Sequence, residues 1–134
     1  MRARKCLYNF VQKLLLVGLG GLVGTLVRYA LTGWSARRFG EAFPTGTLIV
    51  NLLGCFLAGF LFHLMRERYP GSETIQTAVF VGLLGGFTTF SAFGLQTFTL
   101  LRDGDFGFAV FNLICSNLGG LLLVWAGYTL AKTL

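Results

Sequence analysis

The stretch Gly82-Leu83-Leu84-Gly85-Gly86-Phe87-Thr88-Thr89-Phe90-Ser91-Ala92-Phe93 decides how this chain is read. It lies inside an uncharged run from Thr74 to Leu101, 28 residues long. Crossing the hydrocarbon of a bilayer takes about 20 helical residues. A straight helix over the whole run would reach about 42 Å. The excess length admits two readings. One is a tilted helix with a small-residue packing face. The other is a helix broken near mid-membrane, because two adjacent glycines followed by two β-branched threonines form helix poorly. A break frees backbone carbonyls and N–H groups. In a membrane it survives only where those groups face protein, water or an ion. The residues alone leave both readings open.

Outward from this run, charges divide the rest of the chain in the same way. Apolar spans run from Leu14 to about Trp34, interrupted only by Arg28, from Ala42 to Met65, and from Phe106 to Ala131. The pattern predicts one all-α integral membrane domain over residues 1–134, with transmembrane helices at about 14–34, 42–65, 74–101 and 106–131. Composition agrees. Hydrophobic residues make up 54% and charged residues 12%, where a soluble domain carries about a quarter charged; mean hydropathy is +0.72. Pro44 suits the first turn of the second helix. Pro70-Gly71 makes a turn before the third, with Ser72 as its N-cap, and Asp105 can cap the fourth. Trp34 and Tyr69 fall at span ends, where amphipathic rings favour the interface. The basic N-terminus (Arg2, Arg4, Lys5, Lys13) and the following apolar run resemble a signal peptide, but the small-residue cleavage pattern is unconvincing and three more spans follow. It is read as a retained first helix.

The net charge of +6 sits between the apolar runs, as a cationic rim for anionic lipid headgroups. No basic stripe with interleaved stacking aromatics exists, which excludes nucleic acid as a partner. Seven Lys and Arg (Arg2, Arg4, Lys5, Lys13, Arg66, Arg68, Lys132) fall on the side of the N-terminus. Arg37, Arg38 and Arg102 fall on the other, with Arg28 a possible fourth. The bias favours an N-terminus inside.

Enzyme chemistry finds no footing. The acids Glu41, Glu67, Glu73, Asp103 and Asp105 all flank the spans, and no nucleophile–base set or phosphate loop is present. No carboxylate lies within a span to carry a coupled proton. Cys55 and Cys115 read as small core hydrophobes, and with Cys6 they make neither a disulfide nor a metal set. His63, the single histidine, reads as an interfacial side chain. What remains inside the membrane is neutral. Asn51 offers two amide N–H donors near the middle of the second span, with Thr47 one turn before it. Asn112 and Ser116 share a face of the fourth, while Asn117 points elsewhere. All three asparagines also fit a plainer role as interhelical glue. Phe87, Phe90 and Phe93 make a stripe at a spacing of three. Such a stripe is ordinarily core or lipid-facing, but ring edges are positive and could attract an anion weakly. Gly20 and Gly24 have close-packing spacing. Arg28 follows at the same interval, to snorkel or to hold a polar network at a pore mouth.

Taken together these residues resemble the CrcB/Fluc family of fluoride channels. The resemblance covers all four spans. It is carried by Gly20-Gly21-Leu22-Val23-Gly24-Thr25-Leu26-Val27-Arg28-Tyr29, by Gly46-Thr47-Leu48-Ile49-Val50-Asn51-Leu52-Leu53-Gly54 and, most specifically, by the Gly82–Phe93 stretch. It implies a broken third helix and an antiparallel, dual-topology homodimer in the inner (plasma) membrane, with fluoride paths along the dimer interface. It implies a central structural sodium ion held by the backbone carbonyls of Gly85 and Thr88. It also implies that Phe90 and Phe93 meet fluoride with their edges, that Asn51 donates its amide, that Ser116 and Thr89 continue a polar track, and that Arg28 organises the entrance. Three positions depart from the family pattern: Gln96, where many members carry Glu; Asn112, where a hydroxyl residue is expected; and Ala92 between the two phenylalanines. The implied activity is passive fluoride export that relieves fluoride toxicity. The competing class is a small dual-topology exporter of organic cations, which needs a carboxylate near the centre of the first helix; Leu14 to Val27 has none. A non-transporting membrane subunit is the third class, and would tolerate replacement of Phe90 and Phe93.

Overall fold

Charged and hydroxyl residues at the ends of each apolar run are where the chain turns in the computed structural model, which describes residues 2–68 and 70–134 and side chains from Leu7 onward. The side chains of Arg2, Arg4, Lys5 and Cys6, and Tyr69, lie outside the described residues. Helix α1 is Arg2–Phe39 and α2 is Thr45–Arg68. The third span forms two helices, α3 over residues 73–87 and α4 over Phe90–Arg102. Helix α5 is Phe106–Lys132. Wider i→i+5 turns occur at His63–Arg68, Ala78–Leu84 and Cys115–Gly119. Among the described residues there is no strand, and four stretches are long and apolar enough to cross a membrane. It is a multi-pass membrane protein.

The boundaries differ from the apolar runs in instructive ways. Helix α1 extends well beyond residues 14–34, because hydropathy marks the part that suits hydrocarbon, while helical hydrogen bonds are satisfied internally in any solvent. Pro44 stands just outside α2, at its N-cap, where its carbonyl accepts from Leu48 N at 3.1 Å. Ser72 and Asp105 occupy the N-cap positions expected of them, yet neither side chain bonds the first turn. At the end of α4, Gly104 takes φ +86°. There Asp105 N donates to Leu100 O at 2.8 Å and Gly104 N to Leu101 O at 3.3 Å. These paired bonds close a helix C-terminus around a left-handed glycine.

Val50, Leu84, Phe87, Phe93 and Leu100 are buried, but the outer surface is apolar too, unlike that of a water-soluble fold. Ser35, Thr47, Thr97 and Asn112 are buried as well, while other Leu, Phe and Val side chains cover the outside. That is the arrangement hydrocarbon demands: apolar surface costs nothing there, and polar groups must find each other. Helices therefore approach through small residues. A Cβ on Gly24 would strike Leu83 O and come within 2.8 Å of Phe87 N. One on Gly86 would meet Gly21 O at 2.5 Å. So α1 and α3 lie backbone to backbone, and α2 packs on α5 likewise, with Gly127 against Phe56 O. Helix α4 is the least embedded, touching mainly the first half of α5.

Gly24→Leu is expected to lose about 3 kcal/mol or more, at the upper end of overpacking costs, because the obstructing atoms are backbone. Gly18→Ala, with nothing within 4 Å of the new Cβ, is expected to change stability by less than about 0.5 kcal/mol. Thermal unfolding in detergent measures both; equal losses would refute the packing account.

Candidate functional site

Thr88 and Thr89 separate α3 from α4. Their backbones are extended, at φ −87°, ψ 158° and φ −150°, ψ 113°, a region that β-branched side chains favour. The third span is thus broken rather than merely tilted. Thr88 N still closes the last turn of α3 on Leu84 O at 2.9 Å. Thr89 begins α4 as its N-cap, its Oγ1 accepting from Ala92 N at 3.3 Å.

The break exposes backbone groups that need partners. Asn51 on α2 supplies two of them: Thr89 N donates to Asn51 Oδ1 at 2.8 Å, and Asn51 Nδ2 donates to Thr89 O at 3.1 Å. A third partner comes from α1, where Arg28 Nε donates to Gly86 O at 3.0 Å, with Thr25 Oγ1 at 3.5 Å from the same carbonyl. The cation therefore lies at the C-terminal end of α3, where the helix dipole is negative. Gly85 O and Thr88 O are among the carbonyls that the break leaves without a helical partner. The helical partner of Gly85 O would be Thr89 N, which Asn51 holds. That of Thr88 O would be Ala92 N, which Thr89 Oγ1 holds. Both are hard oxygen donors.

Asn51, Gly85, Thr88, Thr89, Phe90, Phe93 and Ser116 all line one cavity of about 380 Å³ at the break. No carboxylate lines it. Phe90 is 80% exposed, Phe93 is buried, and their ring centroids are 5.5 Å apart at a tilt of 47°. Asn51 has one amide hydrogen beyond the bond to Thr89 O. Arg28 does not line this cavity; it bonds Gly86 O. The expected stripe does not extend to Phe87. The break lies between, so the interval of three no longer maps to one face, and Phe87 is buried beside Gly54. The sequence pattern does not mark Thr25 or Thr97 as a partner in this part of the structure. The matching intervals Gly20–Gly24 and Gly82–Gly86 were the one available sign that these helices meet.

A larger cavity, about 940 Å³, lies at one end of the bundle, lined in part by Arg37, Glu41, Gln96, Asp103 and Asp105. There Arg102 donates to both Asp103 oxygens at 2.8 and 3.3 Å, and this bonding holds the Asp103 carboxyl below its usual range. Gln96 Oε1 is buried without a partner. At the opposite end His63 Nδ1 pairs with Glu67 Oε2 at 3.0 Å, which also accepts from Tyr128 OH at 2.8 Å. Among the described residues no His, Cys, Asp and Glu gather as a metal cluster.

The family model described as CrcB-like protein, Camphor Resistance (CrcB), matches residues 15–128. A protein of Opitutus terrae named fluoride-specific ion channel FluC is 46% identical over 119 residues, 87% of this chain and 90% of that one. Proteins of the same name from Chloroflexus aurantiacus (42% over 122 residues; 91% and 97%) and Desulforapulum autotrophicum (41% over 121; 90% and 97%) are similarly close.

Asn51→Leu keeps the branched shape but strands the Thr89 N–H and C=O, each at about 1–3 kcal/mol. Thr89→Val loses its cap and the exposed 3.3 Å contact to Ser91 Oγ, together about 1 kcal/mol. Thermal unfolding in detergent is expected to rank them so. An Asn51→Leu protein as stable as the parent would show that the amide does not hold the break.

Proposed function

This chain belongs to the CrcB-like family, and from that premise we infer that it is a fluoride-specific ion channel of the cell membrane and not an enzyme. The observation that carries the reading at residue level is the cavity at the break, which gathers neutral donors and aromatic edges and contains no carboxylate. Fluoride is small and strongly hydrated. Passing it needs donors that replace water without a fixed positive charge that would trap it. The free Asn51 N–H, the Ser116 hydroxyl and the edges of Phe90 and Phe93 are such donors, with Thr89 beside them. Arg28, bonded to Gly86 O, organises the α3 terminus and adds a positive field near the path.

The functional unit is an antiparallel homodimer with the two break regions facing each other. Support comes from what a single subunit leaves open: Phe90 and Gly85 face outward. A central sodium ion is the structural cofactor. The carbonyls of Gly85 and Thr88 fit it, being oxygen donors whose helical partners are committed elsewhere. A sodium ion held by the Gly85 and Thr88 carbonyls would offset their dipoles at the break. Transport is passive: fluoride that enters as the neutral acid and dissociates in the cytoplasm leaves down its gradient, which relieves toxicity. An organic-cation exporter would need an acid in the membrane-embedded cavity, and the cavity lining has none.

Liposomes containing the purified protein are expected to release fluoride, and Phe90→Ile is expected to slow release at least about tenfold, or ~1.4 kcal/mol in the barrier, with assembly intact by size-exclusion chromatography. No release above that of empty liposomes, with insertion verified, would overturn the assignment. Replacing sodium by a large organic cation on both sides is expected to destabilise the dimer; unaltered assembly and flux would remove sodium from the account.

A further inference from the structure

Thr97 on α4 and Asn112 on α5 are buried, at 6% and 2% exposure. Neither helps close the break, yet they form the buried polar contact between the helix that carries Phe90 and Phe93 and the helix that carries Ser116. Thr97 Oγ1 donates to Phe93 O at 2.8 Å. Asn112 Nδ2 donates to Thr97 Oγ1 at 2.9 Å. Ser116 Oγ donates to Asn112 Oδ1 at 3.4 Å. The three bonds run in one direction for a simple reason. A hydroxyl has a single proton. Thr97 gives its proton to Phe93 O, so its oxygen can only accept from the neighbouring helix. The amide nitrogen of Asn112 must then face Thr97, and the amide oxygen is left to face Ser116.

This relay begins at the carbonyl of one cavity residue, Phe93, and ends at the hydroxyl of another, Ser116. Its bonds are not equal. The two buried ones are short. The one to Ser116 is at the long limit for O–H donation and is the first to give way. We propose that Asn112 is a positioning residue for conduction. It sets the separation of Phe93 from Ser116, and it holds the Ser116 proton on Oδ1 until an anion beside Ser116 draws that proton round to itself. The proposal rests on the fluoride-channel reading. It goes beyond glue because it assigns a direction to every hydrogen bond. In hydrocarbon, where apolar burial does not hold α4 to α5, the contact also gives the aperture between them its rigidity.

The test uses the full chain in liposomes, with fluoride and chloride efflux measured for the parent, Asn112→Leu, Thr97→Val, Ser116→Ala and Asn112→Asp. Asn112→Leu and Thr97→Val are each expected to slow fluoride at least about tenfold, ~1.4 kcal/mol, and to narrow its preference over chloride. Combining them is expected to add little, because they cut one relay. A purely structural contact would lower the amount of folded channel and leave the preference of the remainder unchanged. Asn112→Asp supplies the sharper readout. Protonated, the new carboxyl can donate to Thr97 and accept from Ser116 as the amide does. Ionised, it can only accept. Burial raises the pKa of such a group, so flux relative to the parent is expected to be near normal in acid and to fall as pH rises towards neutral. Ser116→Ala is expected to abolish any further effect of Asn112→Leu on the fluoride preference. Should Asn112→Leu fail to assemble, Thr97→Val and the Asn112→Asp pH profile still decide the matter. If the parent conducts and these variants keep its preference and pH profile, the positioning role is wrong. If the parent passes no fluoride, the channel reading fails and the role of Asn112 fails with it.

Discussion

A single amide, that of Asn51, makes the interrupted third span possible. Two extended threonines in mid-membrane would leave an N–H and a carbonyl facing hydrocarbon, each costly without a partner. Asn51 has one acceptor and two donor hydrogens on a planar group, and it meets both exposed atoms of Thr89. Everything at the site follows from that clasp. Because Thr89 N is held by Asn51, Gly85 O is released. Because Thr89 stays extended, its hydroxyl can cap α4 and release Thr88 O. Because α3 ends there, its last carbonyls attract Arg28 from α1. The break is a supported structure, held by α2 through Asn51 and by α1 through Arg28.

The break also has two ends of opposite character. The C-terminal end of α3 offers carbonyl oxygens and is negative. The start of α4 offers N–H groups and is positive. A cation is at home on the first and an anion near the second, within one cavity and without a carboxylate. Phe90 and Phe93 stand on the α4 side. A channel for a small anion can be built from this polarity alone, since ring edges and one amide hydrogen attract weakly enough to release.

The solvent shapes the rest. In water the exposed Leu and Phe of this chain would drive collapse. In a bilayer they do not, so close approach of backbones and buried hydrogen bonds must hold the helices. Gly24 against Leu83 and Gly127 against Phe56 supply the first; Asn112 with Thr97 supplies the second. The family match begins at residue 15, inside α1, whose turns before it carry Asn9, Gln12 and Lys13.

How much of this was legible in the sequence depended on the kind of information needed. Four apolar runs separated by charges, with no acid inside them, determined a four-helix membrane protein, because hydropathy and length are properties of consecutive residues. The Gly85-Gly86 and Thr88-Thr89 pairs marked where the third helix could fail. Whether it did fail was not a local matter. Poor helix formers are tolerated when nothing pairs with their backbone, and only Asn51, 38 residues away in sequence from Thr89, supplies the pairing. The tertiary structure alone decided that Arg28 bonds Gly86 O, that Phe87 leaves the stripe of Phe90 and Phe93, and that Asn112 faces Thr97. Each of these turns on which atoms from separate helices meet, and a periodic pattern specifies faces without specifying the partners those faces find.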